Sequence, residues 1–148
     1  MTIKKSMSCT ILSAAVMALG GVTAQAATLE KVMLVDDNGN MGVYVSATAV
    51  KAGEVVFDVT NAATSTVEHE MLVVLLTPAQ LADPKSLPMR KDEDRFDEDA
   101  VKDYGEVSEL EPGATGSLTL TLAPGHYMLV CNVAGHYQAG MYTIINVE

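Results

Sequence analysis

The sequence predicts an all-β protein, a two-sheet antiparallel Greek-key sandwich interrupted by one short helical insertion. Three observations carry this. Apolar residues recur at every second position over most of the chain, clusters of Gly, Pro, Asn and Asp separate those runs, and one stretch, 77–104, breaks the alternation with prolines and charges. Successive side chains of a strand point to opposite faces, so a period of two marks strands with one buried face.

The first 26 residues stand outside this pattern. "MTIKKSMS" holds two lysines and no acid, and "CTILSAAVMALGGV" is an apolar run too short for the roughly 20 residues of a membrane helix. "AQA" at 24–26 is a small-x-small box. This is the anatomy of a secretory signal peptide cleaved after Ala26. Residues 27–148 are then one exported, periplasmic or otherwise extracytoplasmic domain with no membrane span. Its 122 residues (148 less 26) suffice to bury a core without disulfides.

The strands follow in order. "GVYVSATAV" sets Val43, Val45, Ala47 and Ala49 against Tyr44, Ser46 and Thr48, and "EVVFDVTN" puts Val55, Phe57 and Val59 on one face. "MLVVLL" at 71–76 is continuously apolar, as expected of a strand covered on both sides. "GSLTLTLA" opposes Leu118, Leu120 and Leu122 to serine and threonine. "DDNGN", "KAGE", "EPGATG" and "APGH" supply the turns between them. Within 77–104, Phe96, Ala100 and Tyr104 recur every four residues, which predicts a short amphipathic helix. Its charged face is read as a solvated insertion, in preference to a docking surface.

Charge and cysteine usage narrow the function. The chain carries 9 Lys and Arg against 19 Asp and Glu, a net of −10, and losing Lys4 and Lys5 with the leader takes the domain to −12. Such acidity excludes nucleic acid as a partner and favours a basic one. Cys9 leaves with the leader, so Cys131 is a single thiol in an oxidising compartment. A metal that consumes the thiolate would protect it.

Cys131 lies in "LVCNVAGHYQAGM", where Cys, His136 and Met141 follow at five-residue steps. In "HYMLVC" the parity of Tyr127, Leu129 and Cys131 turns the thiol inward at the end of a strand. Of the other histidines, His126 has the opposite parity and reads as an exposed turn residue, whereas His69 opens the doubly covered strand "HEMLVVL". Two imidazoles, one thiolate and a distant thioether form the donor set of blue copper electron-transfer sites. Structural zinc would favour paired cysteines, which are absent.

"CNVAGHYQAGM" resembles the C-x4-H-x4-M ligand loop of the cupredoxins, nearest the rusticyanin, sulfocyanin and auracyanin group. "FDVTN…EHEMLVV" and "LAPGHYMLVCNV" resemble the family's histidine and cysteine strands. The resemblance covers the chain from about Val43 to the end. It implies one copper ion, Cu+/Cu2+, per chain, held by His69, Cys131 and His136 with Met141 as axial ligand, and one-electron transport as the activity. It further implies electron exchange through His136 in an apolar patch of Val133, Ala134, Ala139 and Tyr137. The expected partner is a basic redox protein such as a c-type cytochrome, met by a monomer. Many cupredoxins place asparagine after the first histidine, where its side chain ties the ligand strand to the cysteine loop. Glu70 stands there instead, so either its carboxylate accepts backbone hydrogen bonds or the tie is missing.

Two other readings are weaker. A periplasmic copper carrier would use the same donors, but no clustered methionine motif accompanies them. An enzyme is not expected, since a multicopper oxidase needs several domains and histidines flanking the cysteine, and Cys131 is flanked by Val130 and Asn132.

Overall fold

A computed structural model describes residues 26–37 and 40–148 of the chain. The leader expected at 1–26 lies, but for its last residue, outside the described residues. Two sheets pack face to face. The first has the order β2-β1-β4-β7, and the second has β3-β9-β8-β5-β6.

In the first sheet β1 (Thr28–Asp37) and β2 (Asn40–Val45) are antiparallel, with Asp37 opposite Asn40. β4 (Gly53–Asn61) lies parallel to β1, and β7 (Thr115–Leu122) is antiparallel to β4. In the second sheet β5 (His69–Leu75) is flanked by β6 (Lys102–Leu110) and β8 (Gly125–Val130), both antiparallel to it. β9 (Tyr142–Val147) pairs antiparallel with β8, and the two-residue β3 (Ala49–Val50) pairs parallel with β9.

Both sheets are therefore mixed, where the sequence led us to expect antiparallel ones. The cause lies between β2 and β3. The alternating run 42–50 is not one strand, because the chain changes sheets near Ser46. Glu30, 1 % exposed, holds that crossing: its Oε1 accepts from the Ser46 amide (2.6 Å), the Ser46 hydroxyl (2.8 Å) and the Ala47 amide (3.0 Å). A chain that leaves one sheet and returns to it through the other can re-enter parallel to its earlier strand, which a tight hairpin forbids.

Between the sheets Val32, Leu34, Val55, Phe57 and Val59 meet Met71, Val73, Tyr127, Leu129, Cys131 and Ile145. A second apolar cluster lies on the outer face of β5 and β8, where Leu72, Val74, Met128 and Val130 are covered by Leu87, Phe96 and Tyr137. That is why "MLVVLL" reads as continuously apolar: the insertion after β5 is its second cover.

The insertion is helical only in places. α1 (Pro78–Ala82) starts at a Thr77–Gln80 capping box with proline in its first turn, and a single 3-10 turn spans Glu98–Ala100. The helix expected through Phe96, Ala100 and Tyr104 does not form. Within that span only the 3-10 turn at Glu98–Ala100 forms, and from Lys102 the chain is already extended in β6. Phe96 is buried in the second cluster, Ala100 is exposed, and Tyr104 belongs to β6. Nor is the segment merely solvated, since Leu87 and Phe96 are core residues.

Candidate metal centre

Three adjacent strands of the second sheet deliver their chemistry to one end of the sandwich. His69 is the first residue of β5, Cys131 follows the last residue of β8, and Met141 precedes β9. Between the last two the chain makes one helical turn, α2 (His136–Ala139), instead of the open loop expected. Gly135 (φ 83°) and Gly140 (φ 99°) bound that turn in the left-handed region, where glycine carries no Cβ penalty. The turn is what brings His136 back over Cys131.

Sγ of Cys131 lies 3.4 Å from Nδ1 of His136 and 3.9 Å from Nδ1 of His69. The two imidazole centroids are 5.0 Å apart at 63°. One donor atom from each of the three residues lies within 4.8 Å of the others. Bonds of about 2.0 Å to nitrogen and 2.3 Å to sulfur, such as zinc makes, give an N···S separation of about 3.7 Å at 120°. The observed separations bracket that value, so the donors fit a single first-row ion. His69 and Cys131 are fully buried, and His136 is 8 % exposed. Met141 is also fully buried, in the same core cluster as Cys131. His126 is exposed, as its parity required.

Burial sets the protonation states of these donors. Burial, reinforced by His136, holds His69 down to about 4, and burial lowers His136 as well, so both imidazoles are neutral near pH 7 and can ligate. Burial pushes the Cys131 thiol up to about 11. Opposing that shift, the nearby backbone amides of Glu70 and Val133 favour the thiolate. A metal ion reverses the burial effect, because the thiolate then has a counter-charge beside it.

Glu70 bears on one alternative left by the sequence. It is 4 % exposed, and its Oε1 has no hydrogen-bond partner; Arg95 Nη1 stands 3.8 Å away. Burial, against the opposing pull of Arg95, raises its carboxyl to about 7. No backbone donor reaches Oε1, so the side-chain tie seen in many cupredoxins is not made by that atom.

The apolar surface expected around His136 is also smaller than the sequence suggested. Ala134 and Ala139 are exposed and Val133 is half-buried, but Tyr137 is fully buried. Its hydroxyl donates to the Pro84 carbonyl (2.8 Å) and accepts from the Leu87 amide (3.0 Å). Asn132 is the residue that sequence reasoning missed. It is buried beside Cys131, and its partners lie 34–36 positions upstream, a separation no local pattern announces.

Comparison with known proteins places the chain by family and by fold. The family model described as the sulfocyanin (SoxE) domain matches residues 22–148. Among solved structures, a reduced auracyanin from Roseiflexus castenholzii superposes with a TM-score of 0.57 at 20 % identity, covering 83 % of this chain and 98 % of its own. Rusticyanin from Thiobacillus ferrooxidans gives 0.62 at 14 %, covering 84 % and 79 %. Auracyanin A, a "blue" copper protein from Chloroflexus aurantiacus, gives 0.54 at 20 %, covering 83 % and 100 %. At these identities the likeness is one of fold. No curated protein matches the sequence.

Proposed function

This chain belongs to the sulfocyanin (SoxE) domain family of the cupredoxins, and from that premise we propose that it is an exported one-electron carrier with a single blue copper site. In this reading His69, Cys131 and His136 are the strong ligands and Met141 offers its thioether as the weak fourth. The observation that carries it is the approach of both Nδ1 atoms to one buried thiol, at 3.4 and 3.9 Å. Copper, when bound, supplies the Cu+/Cu2+ couple.

The chain's own residues make that couple usable. Ligands at the ends of β5 and β8 and ahead of β9 are held by the sandwich, so little has to move when the charge at the site changes. The backbone amides of Glu70 and Val133, near the sulfur, favour its charged form. His136 is the partly exposed ligand, beside the exposed methyls of Ala134 and Ala139, and is the point where an electron enters and leaves.

The acid-rich stretch at 92–99 supports a basic partner, since Asp94 is tied to the ligand loop: its carbonyl accepts from the Gly135 amide at 2.8 Å. Export by cleavage after Ala26 is supported by the position of β1, which begins at Thr28. The intact mass of the protein from its native host checks this, and a mass that includes 1–26 would refute it.

The test of the site is optical. Copper-loaded protein should show an intense visible charge-transfer band, and Cys131→Ser should abolish it with most of the affinity, a hydroxyl being a poor substitute for thiolate. The same band in the variant would sink the assignment. Burial of the ligands favours retention over delivery of the metal. Reduced protein should therefore keep copper through repeated redox cycles with a Cu(I) chelator at neutral pH, whereas rapid, complete loss would point to a copper carrier.

A further inference from the structure

We propose that residues 84–98 form a strap that positions the ligand loop, with Asn132 as the positioning residue on the loop side; this rests on the copper reading above. The carboxamide of Asn132, 1 % exposed, grips one residue of the strap from both sides. Its Oδ1 accepts from the Phe96 amide at 2.8 Å and its Nδ2 donates to the Phe96 carbonyl at 3.1 Å. The same nitrogen also donates to Glu98 Oε1 at 2.7 Å. The side chain thus behaves as a one-residue strand partner.

Three more ties run the same way. The Gly135 amide donates to the Asp94 carbonyl (2.8 Å), Tyr137 Oη bridges the Pro84 carbonyl and the Leu87 amide, and Lys85 Nζ donates to the Gln138 carbonyl (3.0 Å). The residues held are 132, 135, 137 and 138, which flank Cys131 and His136 without including them. From the other side Arg95 reaches Glu70, the neighbour of His69. One excursion therefore touches the chain next to all three donor residues.

The pattern suits positioning more than general stability. Phe96 and Leu87 already anchor the strap on the outer face of β5 and β8 through the second core. The polar ties are additional, and they end on the loop instead of the sheet. They also answer the departure at Glu70. Where a family member's asparagine beside the first histidine would tie strand to loop, here Asn132, beside the cysteine, ties the loop to the strap.

The experiment compares the full chain with Asn132→Ala and Tyr137→Phe, the second keeping its ring in the core should the first fail to fold. In metal-free protein, hydrogen exchange at the Gly135 amide should quicken about tenfold in either variant, relative to the core amide of Phe57. In copper-loaded protein the copper hyperfine coupling should shift, and a chelator should capture Cu(I) about tenfold faster than from wild type. Unchanged Gly135 exchange overturns the strap. So does faster exchange with wild-type hyperfine coupling and capture, because the ties would then stabilise without positioning. A wild type with no visible band overturns the copper reading itself, and the strap's role toward the ligands with it.

Discussion

The Cys131 amide donates a 3.0 Å hydrogen bond to the Met141 carbonyl, closing the ten-residue step that carries His136 between them. The Met141 amide in turn donates to the His136 carbonyl at 3.0 Å. Three of the four proposed ligands are thus tied through backbone alone, and the tie survives any change of side chain.

Met141→Leu should therefore leave the loop in place. The two side chains have similar volume, so metal-free stability should change by less than about 1.5 kcal/mol in urea unfolding. With copper bound, the variant should keep its visible band and show a raised potential, the weak thioether being a ligand that tunes more than it holds. A lost band would mean that Met141 is essential to binding.

Stability of the metal-free protein should respond to pH through two buried groups of opposite sign. His69 is lowered from 6.5 to about 4, so between those values the unfolded chain binds more protons and stability is lost as pH falls. Glu70 is raised from 4.5 to about 7, so over that range the folded chain holds the extra proton and stability is lost as pH rises. Glu70→Gln should remove the second effect only. Its advantage over wild type should grow from pH 4.5 to 7 in denaturant titrations, and an advantage that is flat with pH would show that Glu70 is not a buried titrating acid.

Gly116→Ala tests how the sheets close at their edge. A Cβ at Gly116 of β7 would meet Cγ1 of Val107 well inside contact distance and stand 3.3 Å from Leu110 Cδ2, both on β6. Val107 is branched at Cβ and cannot swing away freely. The substitution should cost about 1–3 kcal/mol in thermal or urea unfolding. A neutral result would mean that β6 and β7 pack more loosely than the structure shows.

With its physiological partner, the rate of electron exchange should fall as salt is added. Screening acts over about 10 Å at 0.1 M, and the steering charge proposed is the acidic 92–99 stretch beside the His136 loop. A flat or rising rate would assign the acidity to solubility alone.

Much of the site was legible because it is local. Parity along Tyr127, Leu129 and Cys131 turned the thiol inward, and all three indeed share the inter-sheet core while Met128 and Val130 face the other cluster. The five-residue steps to His136 and Met141 confined three candidate ligands to one loop. The helix expected through Phe96, Ala100 and Tyr104 failed for a matching reason. A four-residue recurrence records spacing only, and burial of Phe96 against β5 and β8 outweighed it.

By itself the sequence determined the alternation that makes strands, the inward face of Cys131, the exposure of His126 and the double cover of "MLVVLL". Each follows from steric and solvation rules that act over a few neighbouring residues. Tertiary structure alone decided that Glu30 turns the chain between sheets, that β4 returns parallel to β1, that Tyr137 is buried, and that Asn132 grips Phe96 from 36 positions away. These outcomes depend on buried polar groups finding partners on distant segments. A residue carries its own hydrogen-bonding capacity in the sequence, but which distant group satisfies it is settled only when the sheets have packed.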